Sequence, residues 1–245
     1  MGLQDEHRVL GFASGDEFRA AEKLQYAVWG EDEVVVPGDI MKVIQAEGGI
    51  AAGTFKDGDL IGFVFGFPTR EPHLQHSHLL AVHPKDRGLG LGAQLKWYQR
   101  DWCLKRAITH IRWTFDPIRA VNAALNLGKL GAVCTIYHTD FYGKMKGLNA
   151  GAPSDRIVAD WYLESDRVRA RAEGISHISD FTSASRIKIP ADFGTLLTND
   201  PDFALSERLR VREEMQKAFK SGLYLTNFDT KSMQYELQPS VLDIK

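Results

Sequence analysis

The chain has 245 residues, 44% of them hydrophobic and 25% charged, with a formal net charge of -2. This is a soluble globular composition with enough apolar material for a full core, which excludes a disordered or fibrous chain. The near-neutral balance gives no field that would draw a nucleic acid or a membrane surface.

Arg8 to Phe12 reads as a first strand. Ser14 or Asp16 can cap a helix that runs to about Trp29, with Phe18, Ala21, Leu24 and Val28 on one face. Val34 to Gly38 is an apolar loop, and a short helix follows to about Glu47. Gly49 to Lys56 and Leu60 to Phe67 read as strands joined at Asp57-Gly58-Asp59, because Asp-Gly between apolar runs is a strong hairpin signal. His76 to Val82 is the next strand, and Pro84 stops it. A helix from about Gly90 to Arg106 carries the stripe Leu91, Leu95, Tyr98 and Trp102.

The strand His110 to Phe115 precedes a helix around Asn122 to Leu130, closed by Gly131. Ala132 to Tyr137 and Ile157 to Leu163 are further strands. Glu164 to Ser185 reads as a polar connector whose Arg167, Arg169 and Arg171 form a solvated face. A strand at Arg186 to Pro190, a helix from about Ala204 to Ser221 and a hairpin of Leu223 to Phe228 with Met233 to Leu237 complete the chain. This order predicts an α/β (α+β) fold with a mixed sheet and helices on both faces. Residues 1–165 form the core in this reading, and residues 166–245 a small α+β extension packing on the core or on a second subunit of a homodimer.

Cys103 and Cys134 stand in no metal or redox spacing, and two free thiols suit a reducing compartment. Asp5, Glu6 and Arg8 interrupt any secretory apolar stretch at the N-terminus, and no apolar run is long enough to span a bilayer, so the sequence reads as cytoplasmic.

The most informative stretch is Val82-His83-Pro84-Lys85-Asp86-Arg87-Gly88-Leu89-Gly90-Leu91-Gly92-Ala93. A strand enters a turn whose glycines open a helix. Glycine allows close backbone approach, and the helix start favours an anion. A pyrophosphate suits such a cradle, with Arg87 adding charge. Two cofactors fit this pattern. Gly88-x-Gly90-x-x-Ala93 formally matches a dinucleotide fingerprint, with Asp116 as the acid at the end of a later strand. That reading makes the protein an oxidoreductase.

The second match is Arg87-x-x-Gly90-x-Gly92 after Val82-His83-Pro84, which resembles the acyl-CoA loop of GNAT acyltransferases. Asn122-Ala-Ala-Leu125 with Lys129-Leu130-Gly131-Ala132 resembles that family's second signature. The likeness covers about residues 8–163. Trp113-Thr-Phe-Asp116-Pro117 and Ser154-Asp155-Arg156 resemble a GNAT subgroup with a C-terminal extension. The resemblance implies a mostly antiparallel GNAT sheet and an acyl-CoA co-substrate, acetyl-CoA or succinyl-CoA. It also implies a small amine acceptor, with an amino acid first. It places the pyrophosphate on the amides of Gly88, Leu89, Gly90, Leu91 and Gly92 beside Arg87, and the pantetheine arm along Leu80, Ala81 and Val82, with Asn122 also at the cofactor. The Leu80 amide would then polarise the thioester carbonyl. A chain that keeps CoA but has lost catalysis is a further reading.

Such chemistry needs a neutral amine, and an α-amino group titrates near ~8 and a lysine near ~10.4. A base is therefore required at neutral pH. The resemblance puts the base eleven positions before Arg87, at His76, and His78 is the alternative. Strand alternation places both on the face of Leu80 and Val82. The family's tyrosine acid, four residues before Gly131, is replaced by Leu127, which cannot donate a proton. Tyr142, in a loop before Gly143, and Tyr137 are the substitutes. Trp29, Asp116 and Arg156 are the acceptor-site candidates, Arg156 as a bidentate partner for a carboxylate. His73, His76, His78 and His83 lack a completing carboxylate or thiol, so no metal is expected.

Overall fold

The computed structural model describes residues 8–31, 34–143, 152–175 and 184–239. It divides into two units, Met1–Ile111 and Arg112–Lys245.

In the first unit β1 (Val9–Gly11) is followed by α1 (Gly15–Trp29) and α2 (Gly38–Ala46). Then come β2 (Ile50–Lys56), β3 (Asp59–Pro68), β4 (Leu74–Val82), a 3-10 turn at Pro84–Asp86 and α3 (Leu91–Leu104). Ser14 starts α1 through a capping box with Glu17, satisfying backbone donors that the helix cannot. Asp57 and Gly58 both take positive φ, at 52° and 90°, which turns β2 into β3. The strands order β1-β2-β3-β4 with antiparallel pairing throughout.

Each face of this sheet carries its own core. Phe63, Phe65 and Ala81 pack with Phe18, Ala21 and Leu24 of α1 and Met41 of α2. Ile50, Ala52 and Val64 pack with Leu95 of α3, joined by Leu80, Val82, Tyr98 and Trp102. Burying one such large side chain contributes roughly 1.5–3 kcal/mol. Gln25 ties the chain after α1 to the helix, accepting from Val36 N at 2.8 Å and donating to Val36 O at 3.0 Å.

The α3 face of β4 also holds a polar cluster. Lys96 is 2% exposed, and its Nζ donates to Ser77 Oγ at 2.9 Å and Gln99 Oε1 at 2.8 Å. Gln99 Nε2 donates to Gln75 Oε1 at 2.7 Å, and the Cys103 thiol lies 3.4 Å from the same oxygen. Burial pulls the Lys96 pKa from 10.5 to about 7, against a smaller opposing pull from Cys103. The folded-state value lies below the unfolded one, so the unfolded chain binds more protons between these limits. Lys96 therefore makes stability rise with pH across that window, with a slope approaching roughly 1.4 kcal/mol per pH unit. Lys96→Met removes this contribution. Urea midpoints of both proteins at several pH values test it, and parallel pH profiles would contradict the burial argument.

The second unit contains β5 (His110–Phe115), α4 (Ala120–Ala123), β6 (Val133–His138), β7 (Arg156–Tyr162), α5 (Asp166–Ala172) and β8 (Ser185–Lys188). It continues with α6 (Phe193–Asn199), α7 (Pro201–Lys220), β9 (Tyr224–Asp229) and β10 (Gln234–Gln238). The strands order β5-β7-β6-β9-β10-β8. Pairing is antiparallel at β6–β7, β6–β9, β9–β10 and β10–β8. The chain is thus a mixed α/β protein with mostly antiparallel strands, as the sequence predicts.

Three local expectations change. The helix expected around Asn122 to Leu130 is one α-turn followed by a π-helical turn at Ala124–Lys129, closed by Leu130 N donating to Leu125 O at 2.9 Å. The connector contains α5, where Arg169 is exposed as expected but Arg167 and Arg171 are partly buried. Arg167 donates from Nη2 to Thr226 O, and burial with repulsion from Arg171 lowers its pKa to about 10. The last long helix begins at Pro201, because Asp200 accepts from Phe203 N at 3.1 Å and proline fits the first helical position.

Candidate active site

Gly90 is the N-cap of α3 and adopts φ 79°, and Gly88 adopts φ 86°. These are left-handed conformations that side-chain-bearing residues rarely take. A Cβ at either position would meet no protein atom within 4 Å, so the loop surface is open. No side chain caps α3, and the first bonds back are Ala93 N and Gln94 N to Gly90 O, at 3.0 and 3.2 Å. The amides of Leu91 and Gly92 therefore stand where a helix has no internal acceptor, at the positive end of its dipole. Leu89 and Arg87 are exposed beside them. His83 holds the preceding turn, accepting from Lys85 N through Nδ1 at 3.3 Å. The Leu91 side chain is 1% exposed and belongs to the core, so only its backbone faces outward.

The geometry of β4 corrects one expectation. Leu80 pairs with Val64 and Leu79 with Phe65, but Ser77 pairs with Gly66 and His76 with Phe67. The register skips His78, which is the extra residue of a β-bulge. The bulge inverts the alternation. Leu80 and Val82 face α3, whereas His76 and His78 share the α1–α2 face with Phe65 and Phe67. His76 stacks on Phe67 at 4.8 Å with 25° between the rings, and the two imidazoles lie 5.9 Å apart. His78 is exposed, yet the surrounding protein disfavours its charged form and lowers its pKa below 6.5. Ala81 is buried in the α1–α2 core, and Trp29 packs against the same core half-buried.

The second unit gathers the remaining candidates around two buried carboxylates. Arg208 binds Asp116 through both nitrogens, Nη1 to Oδ1 at 2.5 Å and Nη2 to Oδ2 at 2.8 Å. Asp116 also accepts from Ile118 N at 3.1 Å, so its oxygens are committed to the protein. Arg212 binds Asp155 in the same forked way, at 2.8 and 2.7 Å. Tyr137 donates to Asp155 at 2.6 Å, and burial together with that carboxylate pushes the Tyr137 pKa up. Tyr137 is therefore a poor proton donor to a thiolate. Burial alone would raise the Asp155 pKa, but the bonds from Arg212, Tyr137 and Asp140 N hold it below 3.8. Leu127 is fully buried in the π-helical turn, and Asn122 is half-buried in α4. Tyr142 is 55% exposed and lies under the Arg156 guanidinium. Lys96, Arg208 and Arg212 were not singled out from the sequence, and Asp155 was noted only as part of Ser154-Asp155-Arg156. The spacing Ala204, Arg208, Val211, Met215, Ala218 was the available signal, because it puts an arginine inside a buried helical stripe.

The dinucleotide fingerprint places its first glycine directly after the strand. Here a 3-10 turn instead separates β4 from the glycines.

Residues 15–131 match the family model described as Acetyltransferase (GNAT) family. The ribosomal-protein-S18-alanine N-acetyltransferase from Escherichia coli aligns with a TM-score of 0.53 at 15% identity, covering 72% of this chain and 98% of that one. An N-acetyltransferase from Staphylococcus aureus Mu50 gives 0.54 at 13% identity, over 64% of this chain and 99% of that one. A phosphinothricin acetyltransferase from Sinorhizobium meliloti in complex with AcCoA gives 0.52 at 15% identity, over 63% and 87%. At these identities the structures speak for the fold alone. Comparison with curated proteins gives no match. Residues 15–131 are thus a GNAT acetyltransferase domain with the fold to go with it, which makes the protein an acyl-transfer enzyme.

Proposed function

We propose that the protein transfers an acetyl or succinyl group from acyl-CoA to the amine of a small molecule, with an amino acid as the leading acceptor. The observation that carries this reading is the open glycine cradle at the N-terminus of α3. Its orphan amides, the helix dipole and Arg87 suit a pyrophosphate. Acyl-CoA supplies an activated thioester carbonyl. The backbone of Leu80, Ala81 and Val82 pairs with the pantetheine amides as an added strand would, and the Leu80 amide polarises the carbonyl. His76 takes the proton that the attacking amine must lose, with His78 beside it. Asn122 supports the cofactor, and Trp29 lines the acceptor side. Asp116 is structural, and the thiolate leaves without a protein acid or with Tyr142.

Residues 166–245 act as an extension joined to the catalytic core through its sheet, since β9 pairs with β6 at Cys134 and Leu225. Two buried free thiols, Cys103 and Cys134, support a cytoplasmic setting. Among the described residues no helix is long and apolar enough to cross a membrane.

Thiol release from acetyl-CoA and succinyl-CoA across an amine panel tests this reading, and no release with any pair rejects it. The cradle has its own test. At Gly90→Val a side chain occupies the space of the pyrophosphate and strains a left-handed backbone by roughly 1–2 kcal/mol. CoA affinity falls by about 10- to 100-fold, the worth of a charge-assisted hydrogen bond. Gly90→Asn tolerates the backbone conformation and separates blockage from strain. Unchanged calorimetric affinity in both folded variants would remove the loop from the account.

A further inference from the structure

We propose that Arg156 and Tyr142 form a carboxylate-binding subsite for the substrate, an inference that rests on the acyltransferase reading above. Arg156 opens β7 opposite His138 of β6. Its Nη1 donates to Asp155 O at 2.8 Å, and its guanidinium carbon lies 5.0 Å from the Tyr142 ring centroid. Among the described residues no carboxylate stands within ion-pair distance of it. The reason is on α7. Asp155 and Asp116, the acids that act on Arg156 electrostatically, are each filled by a forked arginine, Arg212 and Arg208 respectively. Asp155 additionally accepts from Tyr137 and from Asp140 N. Arg119 also reaches Asp116, at 3.8 Å, so both aspartates are taken by other arginines and neither pairs with Arg156.

A guanidinium is charged at any physiological pH and presents five donors in a planar fork. One donor is used by Asp155 O, and the fork matches a carboxylate bidentately. Burial also holds the Arg156 pKa below its ordinary value, so a bound anion would relieve an unfavourable state. Beside the cation lies an apolar ledge. Tyr142 is 55% exposed and Phe141 48%, with the rings edge to face at 4.8 Å. The ledge and the cation together fit a ligand with a carboxylate next to an apolar group. Two substrates of the reaction have that chemistry, an apolar α-amino acid as acceptor and a carboxylate-tipped acyl chain as donor.

The test compares wild type with Arg156→Gln and Arg156→Lys on phenylalanine and phenylalaninamide, each with acetyl-CoA and with succinyl-CoA. Wild type should show a KM for phenylalanine about 10- to 100-fold below that for the amide, and Arg156→Gln should bring the two together. Arg156→Lys keeps the charge without the fork and should recover part of the difference. If the discrimination lies instead between succinyl- and acetyl-CoA and vanishes in Arg156→Gln, the subsite reads the acyl end. If Arg156→Gln preserves every discrimination, the proposal is wrong. Thermal stabilisation by N-acetylphenylalanine and by succinate gives a readout independent of turnover. It should appear in wild type and disappear in Arg156→Gln, and its absence from wild type, or equal stabilisation of both, overturns the subsite. Stabilisation that depends on Arg156, without thiol release from any substrate pair, would sink the acyltransferase reading and leave the subsite standing.

Discussion

Replacing His76 with glutamine lowers the turnover number by roughly 10²–10⁴, the range for losing a general base. Glutamine keeps the size and hydrogen-bonding capacity of the side chain but cannot take a proton near neutrality. CoA affinity changes little, because His76 faces the α1–α2 side of β4 while the glycine cradle lies at the start of α3. The loss shrinks as pH rises, since an α-amino group titrating near ~8 then reaches its neutral form unaided. His78→Gln is the matched control. His78 sits at the bulge, and the protein around its ring disfavours the charged form and lowers its pKa below 6.5, so it is neutral and able to accept a proton at pH 7. A larger pH-dependent loss in His78→Gln would move the base one bulge position along the strand. Unchanged turnover in both variants would make the histidines structural and leave deprotonation to water.

Asp116→Asn destabilises the protein by about 3–5 kcal/mol, the cost of stranding one member of a buried ion pair. Asparagine still offers an oxygen to Ile118 N, so the loss reports the stranded charge of Arg208 rather than a broken turn. Arg208 is 2% exposed and has Phe193 beneath it at 4.8 Å, so water cannot compensate. Adding Arg208→Met removes the stranded charge and should recover most of the loss. The measurement is the shift in urea midpoint at constant m-value. A loss under about 1 kcal/mol for Asp116→Asn would place this pair among surface salt bridges. Because Arg208 and Arg212 both belong to α7, the same variant reports how tightly the C-terminal residues are bound into the second unit.

The order of the elements was readable because each follows from local chemistry. Ser14 with Glu17 marks a helix start, Asp57-Gly58 a hairpin, and Gly88 with Gly90 the entry to α3. The cradle was legible for the same reason, since glycine at positive φ leaves a mark in sequence. The faces of β4 were not. A bulge adds one residue without changing composition, and the run His76-Ser77-His78-Leu79-Leu80-Ala81-Val82 gives the same count of polar and apolar residues in either register. The bulge puts the adjacent His78 and Leu79 on one face, which a strict alternation cannot foresee.

Buried charge was hidden for a different reason. Lys96, Arg167 and Arg208 each look like solvent-facing residues of a polar helix, and their burial is set by partners distant in sequence. Arg208 finds its carboxylate 92 residues away. The helix α5 was masked by its own composition, for Val168 is its one buried residue and the rest of its sequence is Asp, Arg and Ala.

The central claim is that the Arg87 to Gly92 loop holds the pyrophosphate of an acyl-CoA. Calorimetric titration of the intact protein with acetyl-CoA, and separately with NADH, tests it most directly. Saturable binding of acetyl-CoA, weakened in Gly90→Val, with no binding of NADH, is the predicted result. Saturable NADH binding with no heat from acetyl-CoA or succinyl-CoA would contradict it.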